Sequence, residues 1–398
     1  MKKKIIVYVE NYSFGGLEKF VCDFIQNNFN NDILLIANKD NDRLENFAKN
    51  NNITFLPVNI HSIHSSEKLS GFIKLFVQTI DVFRRYIYFF RNIFYLKNIF
   101  TTLKYYDHIL IVNGGYPGAM SCLSATIAAK KVAFKTIGLS ILSCPSTTYY
   151  RLPLRFIQNV IDKWVSDSVT FFHVNSHVIK NDLLKMTCFD QNKIHIVYTG
   201  VSVPDNISKI ATLELPICTI KKQENEIWFG MISILGSTKT QDILLEAIAL
   251  VLPNHPELHC LIVGDGPKYA MLKELTTNLG IEKNIIFCGQ SEEHEQIYRF
   301  LDACIFSSSH EGLPYAVSEA MAYALPLIAS NVGGVSEQID DSINGFLVPK
   351  QDAKSLAKKI EILLNNRSIW PELGQNARTK AIEHFSIETM RKNIDLLL

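Results

Sequence analysis

Short apolar runs separated by helical stretches recur along the whole chain. Runs of this kind predict strands at residues 5–9, 33–37, 108–112, 132–137, 227–232, 258–263, 284–288, 303–307 and 325–329. Near-continuous apolar strands that alternate with helices are typical of parallel sheets covered on both faces. The pattern runs through each half separately. It therefore predicts an α/β protein with two Rossmann-like, doubly wound domains that face one another across a cleft.

The length of the chain supports two domains. A single core usually stops growing at about 250–300 residues, and this chain has 398. A polar stretch of alternating charge precedes the first predicted strand of the second half. We predict an N-terminal domain at residues 1–205, a linker at 206–225, a C-terminal domain at 226–375 and a C-terminal helical segment at 376–398.

Charge and cysteine usage narrow the class of protein. The net charge is +1, from 40 Lys and Arg against 39 Asp and Glu, so there is no basic excess to favour nucleic acid as a partner. None of the eight cysteines forms a C-x-x-C pair, which favours free thiols in a reducing cytosol. The apolar run at residues 5–9 is shorter than the ~7–15 residues of a secretory signal. We expect a cytoplasmic protein.

Residues 72–106 mix aromatic and aliphatic side chains with lysine and arginine. They contain no uninterrupted apolar run of about 18 residues, so a transmembrane helix is not predicted. One interpretation is a helix pair that lies on an anionic membrane surface, which would make the protein peripheral at the inner face of the cell membrane. The other is two ordinary helices that pack on the N-terminal sheet.

Residues 307–337 carry the most informative pattern. A strand is predicted to end near Ser307 and a helix to begin near Tyr315, with Pro314 suited to the helix start. A helix N-terminus offers free N–H groups to a phosphate. Glu311 and Glu319 flank this position, and since carboxylates repel phosphate, their partners should be hydroxyl groups on either side of a diphosphate, as in a nucleotide-sugar. Alternatively, both glutamates only complement the helix dipole.

This stretch resembles the donor-site signature of glycosyltransferase family 4, a retaining family with the two-Rossmann GT-B fold. The matching residues are Glu311, Gly312, Leu313, Pro314, Glu319, Ala320, Met321, Ala322, Gly333 and Gly334. The resemblance implies that Glu311 contacts the transferred sugar and Glu319 the ribose. It also implies that Gly312, Leu313 and Pro314 belong to the donor-binding segment, in which backbone N–H groups after Gly312 hold the diphosphate.

Other segments extend the resemblance over nearly the whole chain. Gly15 and Gly16 resemble the N-terminal glycine loop, and Gly264 begins a loop like the one under the donor base. Lys239 keeps the position of a lysine that neutralises the leaving diphosphate, but Ile234 stands where an arginine is expected. No histidine occupies residues 135–140, so acceptor activation is unassigned. The C-terminal segment is expected to cross back to the N-terminal domain.

The resemblance implies a retaining glycosyltransferase that moves a sugar from a nucleotide-sugar donor to a glycan or lipid-linked acceptor in cell-surface polysaccharide assembly. Glu311 and Lys239 would be catalytic, and no cofactor or metal is expected, since the nucleotide-sugar is a substrate. Asp40 and Asp42 match a metal-binding D-x-D motif, but they lie in an Asn- and Asp-rich turn. Two alternatives stay open: a non-catalytic relative that binds a glycan or partner, and a sugar-nucleotide epimerase.

Overall fold

The computed structural model describes residues 2–10, 15–26, 28, 31–60, 71–143, 155–186, 188–215 and 218–398. The chain divides into two compact units. The first comprises Met1–Tyr198 together with Met390–Leu398, and the second comprises Thr199–Thr389.

The first unit is built on a parallel sheet of seven strands within the described residues, in the order β3-β2-β1-β4-β5-β6-β7. Its strands are β1 (Lys4–Val9), β2 (Asp32–Asn38), β3 (Thr54–Val58), β4 (His108–Asn113), β5 (Thr136–Ile141), β6 (Phe171–Val174) and β7 (Ile194–Ile196). Its helices are α1 (Gly16–Gln26), α2 (Asp42–Asn50), α3 (Gly71–Thr102), α4 (Met120–Val132), α5 (Arg155–Ser168) and α6 (His177–Leu184). The central strands β4 and β5 are buried along their whole length, as expected where helices cover both faces of a sheet.

The strand predicted at residues 132–137 is wrong in its position. Val132 ends α4, and Ala133 follows in a left-handed conformation with φ 64°, its N–H bonded to the carbonyls of Ala129 and Lys130. The strand β5 begins only at Thr136. The buried side chain of Phe134 lies in the connection between the two elements, so an apolar run continues across a helix end and a strand start.

In the part of the second unit that the structure describes, six strands form a parallel sheet in the order β12-β11-β10-β13-β14-β15. These strands are β10 (Ile227–Ile232), β11 (Leu258–Val263), β12 (Ile285–Phe287), β13 (Ala303–Phe306), β14 (Leu327–Ser330) and β15 (Phe346–Val348). The helices are α7 (Gln241–Val251), α8 (Tyr269–Leu279), α9 (His294–Phe300), α10 (Tyr315–Ala322), α11 (Val335–Gln338), α12 (Ala353–Asn365) and α13 (Trp370–His384). Helix α14 (Ile387–Leu397) begins in this unit, but its residues from Met390 onward belong to the first. The predicted α/β class with two doubly wound domains is confirmed.

The segment predicted as a linker, residues 206–225, contains an antiparallel pair, β8 (Thr212–Leu215) and β9 (Cys218–Lys221). Leu213 and Leu215 are buried on one face with Glu214 exposed between them. The ammonium of Lys222 lies 2.5 Å from Asp302. The hairpin therefore belongs to the second unit, and its alternating pattern is too short to stand out from a loop in the sequence.

The predicted C-terminal segment is also divided. Helix α13 lies in the second unit, whereas residues Met390–Leu398 belong to the first. Within the first unit, Lys3 Nζ donates to the carbonyl of Asp395 at 2.6 Å, and Thr136 Oγ1 donates to the carbonyl of Leu398 at 3.4 Å. These bonds tie the chain end to strands β1 and β5.

Helix α3 corrects the prediction of a helix pair at residues 72–106. A single helix of 32 residues runs from Gly71 to Thr102, because no glycine or proline interrupts residues 72–102. One row of its side chains is buried in the core of the first unit: Phe89, Ile93, Leu96 and Phe100. A second row is exposed: Ile80, Phe83, Ile87, Phe90 and Phe94. Over the described ranges, no helix is both long and apolar enough to cross a bilayer.

Six cysteines have described side chains, and all six are free thiols. Four of them, Cys122, Cys260, Cys288 and Cys304, are buried. Cys144 and the side chain of Cys218 lie outside the described residues.

Candidate functional site

The candidate site of the second unit lies at the carboxyl ends of its parallel strands. Strand β10 lies between β11 and β13, so the chain leaves it toward one side of the sheet and later returns on the other. Ligands of doubly wound sheets bind at such a switch point. The loops at this edge are residues 233–240 after β10, 264–268 after β11 and 307–314 after β13. They carry most of the residues that the sequence predicted.

Hydrogen bonds join the loops that follow β10 and β13. Ser309 donates its N–H to the carbonyl of Thr238 at 2.7 Å. Ser307 Oγ donates to the carbonyl of Thr240 at 2.8 Å, and the Thr240 hydroxyl bonds the carbonyl of Ser307 in return. Lys239 lies between these two tied residues of its loop. Its backbone is therefore fixed beside the loop that carries Glu311.

Lys239 and Glu311, the two residues predicted as catalytic, form an ion pair. Lys239 Nζ lies 2.5 Å from Glu311 Oε1, and the hydroxyl of Ser308 donates to the same oxygen at 2.6 Å. The side chains of Lys239 and Glu311 keep 22% and 11% of their surface exposed. Both groups can therefore reach a ligand, while the surrounding protein limits competition from water.

The backbone before α10 is held by a buried glutamine. Gln338 Nε2 donates to the carbonyl of Pro314 at 3.0 Å and to Ser318 Oγ at 2.6 Å. Pro314 is the N-cap residue with φ −71°, and the helix begins at Tyr315. The first N–H groups of a helix have no intrahelical partner. Gly312, Leu313 and Pro314 thus lead directly into a helix end that can accept an anion.

Gly333 and Gly334 explain why a double glycine follows this helix. Gly333 adopts φ +54°, and a Cβ added there would lie 1.8 Å from the carbonyl oxygen of Glu311. The N–H of Gly334 donates to the carbonyl of Gly312 at 2.6 Å. A side chain at position 333 would push the Glu311 backbone away. The glycine pair is therefore part of what positions Glu311.

The glycine of the β11 loop has a similar role. Gly264 adopts φ +136°, and a Cβ there would lie 2.0 Å from the carbonyl oxygen of Ser233. The loop after β11 consequently packs against the loop after β10. In that loop Ile234 exposes 61% of its surface, and its carbonyl accepts from Gln241 Nε2 at 2.9 Å. An exposed apolar side chain thus occupies the position where the family pattern has an arginine.

Glu319 lies in the second turn of α10, and its carboxylate is held from the neighbouring helix α9. The hydroxyl of Tyr298 donates to Glu319 Oε2 at 2.9 Å, and His294 Nδ1 lies 3.5 Å from the same oxygen. Tyr298 is buried, and burial followed by the charge of Glu319 raises its pKa well above 10. Sequence reasoning missed both partners because they lie 21 and 25 residues before Glu319 in no recognisable motif.

Gly15 and Gly16 belong to the first unit. They follow β1, the strand that lies between β2 and β4 at the switch point of that sheet. The N–H of Gly15 donates to Glu18 Oε2 at 2.8 Å, and α1 begins at Gly16. Glu18 is fully buried. The conformation of the glycine loop is therefore held by the buried carboxylate of Glu18, to which sequence reasoning assigned no role.

The D-x-D motif has a local structural role. Asn41 caps helix α2, since its side chain accepts from the N–H of Leu44 at 3.1 Å. Asp40 and Asp42 are exposed on either side of this cap. Among the described residues, no group of three or more His, Cys, Asp or Glu side chains is arranged to hold a metal ion.

Comparison with known proteins shows the fold of the chain and a family model that matches part of it. Its fold matches the structure of Anabaena HepE in complex with UDP, with a TM-score of 0.75 and 18% identity over 99% of this chain and 98% of that one. The fold is therefore GT-B. Residues 219–382 match the family model described as glycosyl transferases group 1. This segment holds the candidate site of the second unit.

Curated glycosyltransferases are similar to this chain over part of their length. An uncharacterized glycosyltransferase of Haemophilus influenzae is 30% identical over 46% of this chain and 52% of its own length. The Escherichia coli UDP-Gal:alpha-D-GlcNAc-diphosphoundecaprenol alpha-1,3-galactosyltransferase is 25% identical over 52% of this chain and 54% of its own length. The chain thus spans about half the length of these curated relatives.

Proposed function

We propose that this protein is a retaining glycosyltransferase, of the type of family 4, which moves a sugar from a nucleotide-sugar to a glycan or lipid-linked acceptor in cell-surface polysaccharide synthesis. The observation that carries the proposal is the ion pair of Lys239 and Glu311 beside the N-terminus of α10. A cation, a set of N–H groups and two carboxylates lie on adjoining loops and one helix. That combination suits a diphosphate with hydroxyl-bearing groups on both sides.

Each group has one role in donor binding. Lys239 and the first N–H groups of α10 bind the diphosphate, because an ammonium group and the positive end of a helix dipole both attract an anion. Glu311 accepts hydrogen bonds from hydroxyls of the sugar, and Glu319 accepts them from the ribose. The assignment of the carboxylates follows their positions, one before the helix N-terminus and one in its second turn.

The same cations assist the reaction. During transfer, the bond between the anomeric carbon and the diphosphate oxygen breaks, and its electron pair leaves with the diphosphate. Negative charge therefore grows at the position that Lys239 and the helix N-terminus occupy. Fixed donors aimed at developing charge are commonly the largest single contribution to a rate enhancement. No carboxylate of this chain is assigned as a nucleophile.

The donor nucleotide and the acceptor are proposed from the relatives. UDP is bound in the HepE structure, and the E. coli relative is named for a UDP-sugar donor and a lipid-linked sugar acceptor. We therefore propose UDP as the first nucleotide to test. A glycan or a lipid-linked sugar is the proposed acceptor class.

A lipid-linked acceptor would give the exposed row of α3 a purpose. Its five apolar residues lie three and four positions apart, on one side of the helix, and expose between 42% and 68% of their surface. The flanking positions Arg84 and Arg91 are exposed cations. In residues 80–102, four cations (Arg84, Arg85, Arg91 and Lys97) oppose Asp81 alone, so the net charge is +3. Such a face suits an anionic lipid surface, and we propose that the protein is cytoplasmic and peripheral at the inner face of the cell membrane.

A second copy of the chain would fit this row less well. Two copies of the row placed together would bring the flanking arginines of both helices near one another, and like charges repel. A membrane with anionic lipid instead attracts each basic residue by about 1 kcal/mol.

The alternative function is a non-catalytic relative that binds a glycan or a partner. The observation that favours it is the exposed Ile234 at the arginine position, since it leaves the leaving diphosphate with one cation fewer. Both alternatives predict nucleotide binding at α10, so binding alone does not separate them. Hydrolysis of the donor, measured as release of free nucleotide diphosphate, does.

Titration of two variants tests the proposal. Glu319→Ala should weaken UDP binding, because the ribose hydroxyls lose their acceptor, whereas Glu311→Ala should lower donor hydrolysis more than UDP affinity. Glu274→Ala, a change on the exposed face of α8, is the matched control. If the wild-type protein binds none of UDP, GDP and ADP, the proposal fails. If it binds one and hydrolyses no nucleotide-sugar of a panel, even with acceptors present, the non-catalytic alternative replaces it.

A further inference from the structure

Tyr298 of helix α9 forms a hydrogen bond to Glu319 of helix α10. Glu319 exposes 12% of its side chain, so its carboxylate lies at the edge of the site rather than inside the core. The side chain of Tyr298 is buried, and its hydroxyl bonds Glu319 Oε2 at 2.9 Å and approaches the carbonyl of Ala316 at 3.3 Å. The tyrosine therefore contacts α10 at two points of the turn that carries the carboxylate.

The ring of Tyr298 is itself fixed. It stacks on Tyr323, with ring centroids 5.2 Å apart and planes 22° from parallel. Tyr323 follows α10 directly, and its N–H bonds the carbonyl of Glu319 at 3.2 Å. A hydroxyl on a buried, stacked ring loses little conformational freedom when it bonds a carboxylate, so the geometry can be held without a ligand.

Tyr298 acts as a donor at neutral pH. Burial and the neighbouring carboxylate keep its pKa well above the ordinary value, so it stays protonated. A carboxylate accepts about four hydrogen bonds. Glu319 can therefore accept one from Tyr298 and still accept others from a ligand. A fixed carboxylate binds hydroxyl groups better than one that must be ordered at the moment of binding.

We propose that Tyr298 is a positioning residue that orients Glu319 toward the ribose of the donor and so selects ribonucleotides over 2′-deoxyribonucleotides. Tyr298 does not touch the donor in this proposal; it acts only through Glu319. The proposal rests on the proposed function, because it assumes that a nucleotide binds at α10. His294, which lies on the same carboxylate oxygen but is partly exposed, is the weaker support of the two.

The test uses Tyr298→Phe, which keeps the ring and its stacking and removes only the hydroxyl. UDP, GDP and ADP are titrated first against the wild-type protein, and the tightest of them and its 2′-deoxy form then serve as probes. For Tyr298→Phe the affinity for the ribonucleotide should fall about tenfold, the usual order for a lost bond to a charged group. The affinity for the 2′-deoxynucleotide should fall much less, so the selectivity between the two should shrink.

Two controls make the result specific. Tyr269→Phe, the same change on helix α8, should leave both affinities unchanged. Glu319→Gln should lower the selectivity at least as far as Tyr298→Phe, and the double variant should add little more, because both changes act on one carboxylate.

Each of the following results would overturn the inference. Equal losses of affinity for the two probes in Tyr298→Phe would show that the tyrosine only supports the fold. Unchanged affinities would show that Glu319 needs no positioning. If the wild-type protein binds no nucleotide, the proposed function falls and this inference falls with it. If nucleotide binds and Glu319→Gln loses selectivity while Tyr298→Phe keeps it, only the inference on Tyr298 fails.

Discussion

Lys239 and Glu311 pair directly in this structure, with Nζ and Oε1 2.5 Å apart. In the proposed complex the two would bind different parts of one donor, Lys239 the diphosphate and Glu311 the sugar. The arriving donor must therefore replace a contact that each residue makes with the other. Since both side chains are only partly exposed, the exchange happens where water screens the charges weakly.

The first prediction follows from this pair. Lys239→Met should lower donor hydrolysis by about 100-fold or more, the usual effect of removing one donor that stabilises developing negative charge. It should also weaken UDP binding. Because Lys239 and Glu311 touch, the double variant with Glu311→Gln should lose less than the sum of the two single losses. Lys273→Met, at an exposed lysine of α8, is the control. Additive losses would show that the pair has no joint role in donor binding.

The second prediction concerns Ile234. Ile234→Arg should raise the rate of donor hydrolysis. The change places a cation in the loop that carries Lys239, at the position where the family pattern has an arginine. Ile343→Arg, at another exposed isoleucine of the second unit, adds the same charge elsewhere and should have no effect. An unchanged or lower rate in Ile234→Arg would indicate that another cation already serves the diphosphate.

The third prediction concerns metal. Activity should persist in EDTA, because the proposed diphosphate ligands are Lys239 and helix N–H groups, which supply positive charge without a metal ion. Changing Asp40 and Asp42 to Asn should leave activity unchanged, since Asn41 supplies the cap of α2. Loss of activity on chelation, with recovery on adding manganese, would contradict this and restore the D-x-D interpretation.

The sequence predicted the strands whose burial on both faces requires apolar residues at nearly every position. Strands β10 and β11 were predicted at their observed bounds because both are largely buried on two faces and form apolar runs, interrupted in β11 only by His259. The strand at residues 132–137 was misplaced because Val132 ends a helix and Phe134 packs in a turn, so apolarity continued without a change of element. Hairpin β8–β9 was missed because its alternation spans only a few residues.

Some residues of the candidate site were predictable from the sequence, whereas most of the residues that hold them in place were not. Glu311 and Glu319 were predictable because they belong to one continuous segment in which a strand, a loop and a helix follow one another. The bonds that position them come from Ser308, Gln338 and Tyr298, and only Ser308 is a near neighbour in sequence. Contacts between separate elements leave no periodic signal, so they required the structure.

The fourth prediction concerns pH and His173. Its ring is fully buried, with Nε2 2.8 Å from the carbonyl of Val197 and Nδ1 2.9 Å from Ser140 Oγ. Burial lowers its pKa from 6.5 to about 4. Between pH 4 and pH 6.5, His173 therefore binds a proton in the unfolded chain but not in the folded protein. The stabilisation is complete above about pH 6.5 and is lost as the pH falls toward 4, by about 1 kcal/mol per pH unit.

Urea unfolding at several pH values between 7 and 4 checks this. His173→Gln should reduce the fall in the free energy of unfolding between pH 6.5 and 4, whereas His384→Gln, at an exposed histidine, should not. An equal pH dependence in the wild-type protein and His173→Gln would show that His173 does not titrate as its burial requires.

The fifth prediction concerns the exposed row of α3. Phe83, Phe90 and Phe94 lie on one side of the helix beside Arg84 and Arg91. The wild-type protein should therefore co-sediment with phosphatidylglycerol vesicles at low salt. Changing the three phenylalanines to Ser should abolish binding at all salt concentrations, because the apolar contact is lost. Changing the two arginines to Gln should weaken binding mainly at low salt, because high salt already screens the attraction between the arginines and the anionic lipid.

The matched control removes exposed apolar surface from elsewhere. Leu250→Ser and Ile382→Ser, on helices of the second unit, remove apolar side chains of comparable exposure and should leave vesicle binding unchanged. Vesicles of neutral phosphatidylcholine should bind much less than anionic ones, because only the apolar contact remains. If the wild-type protein ignores anionic vesicles at low salt, the α3 row does not bind lipid. A soluble glycan then becomes the better acceptor to test, because an acceptor held in the membrane would require the protein to reach that surface.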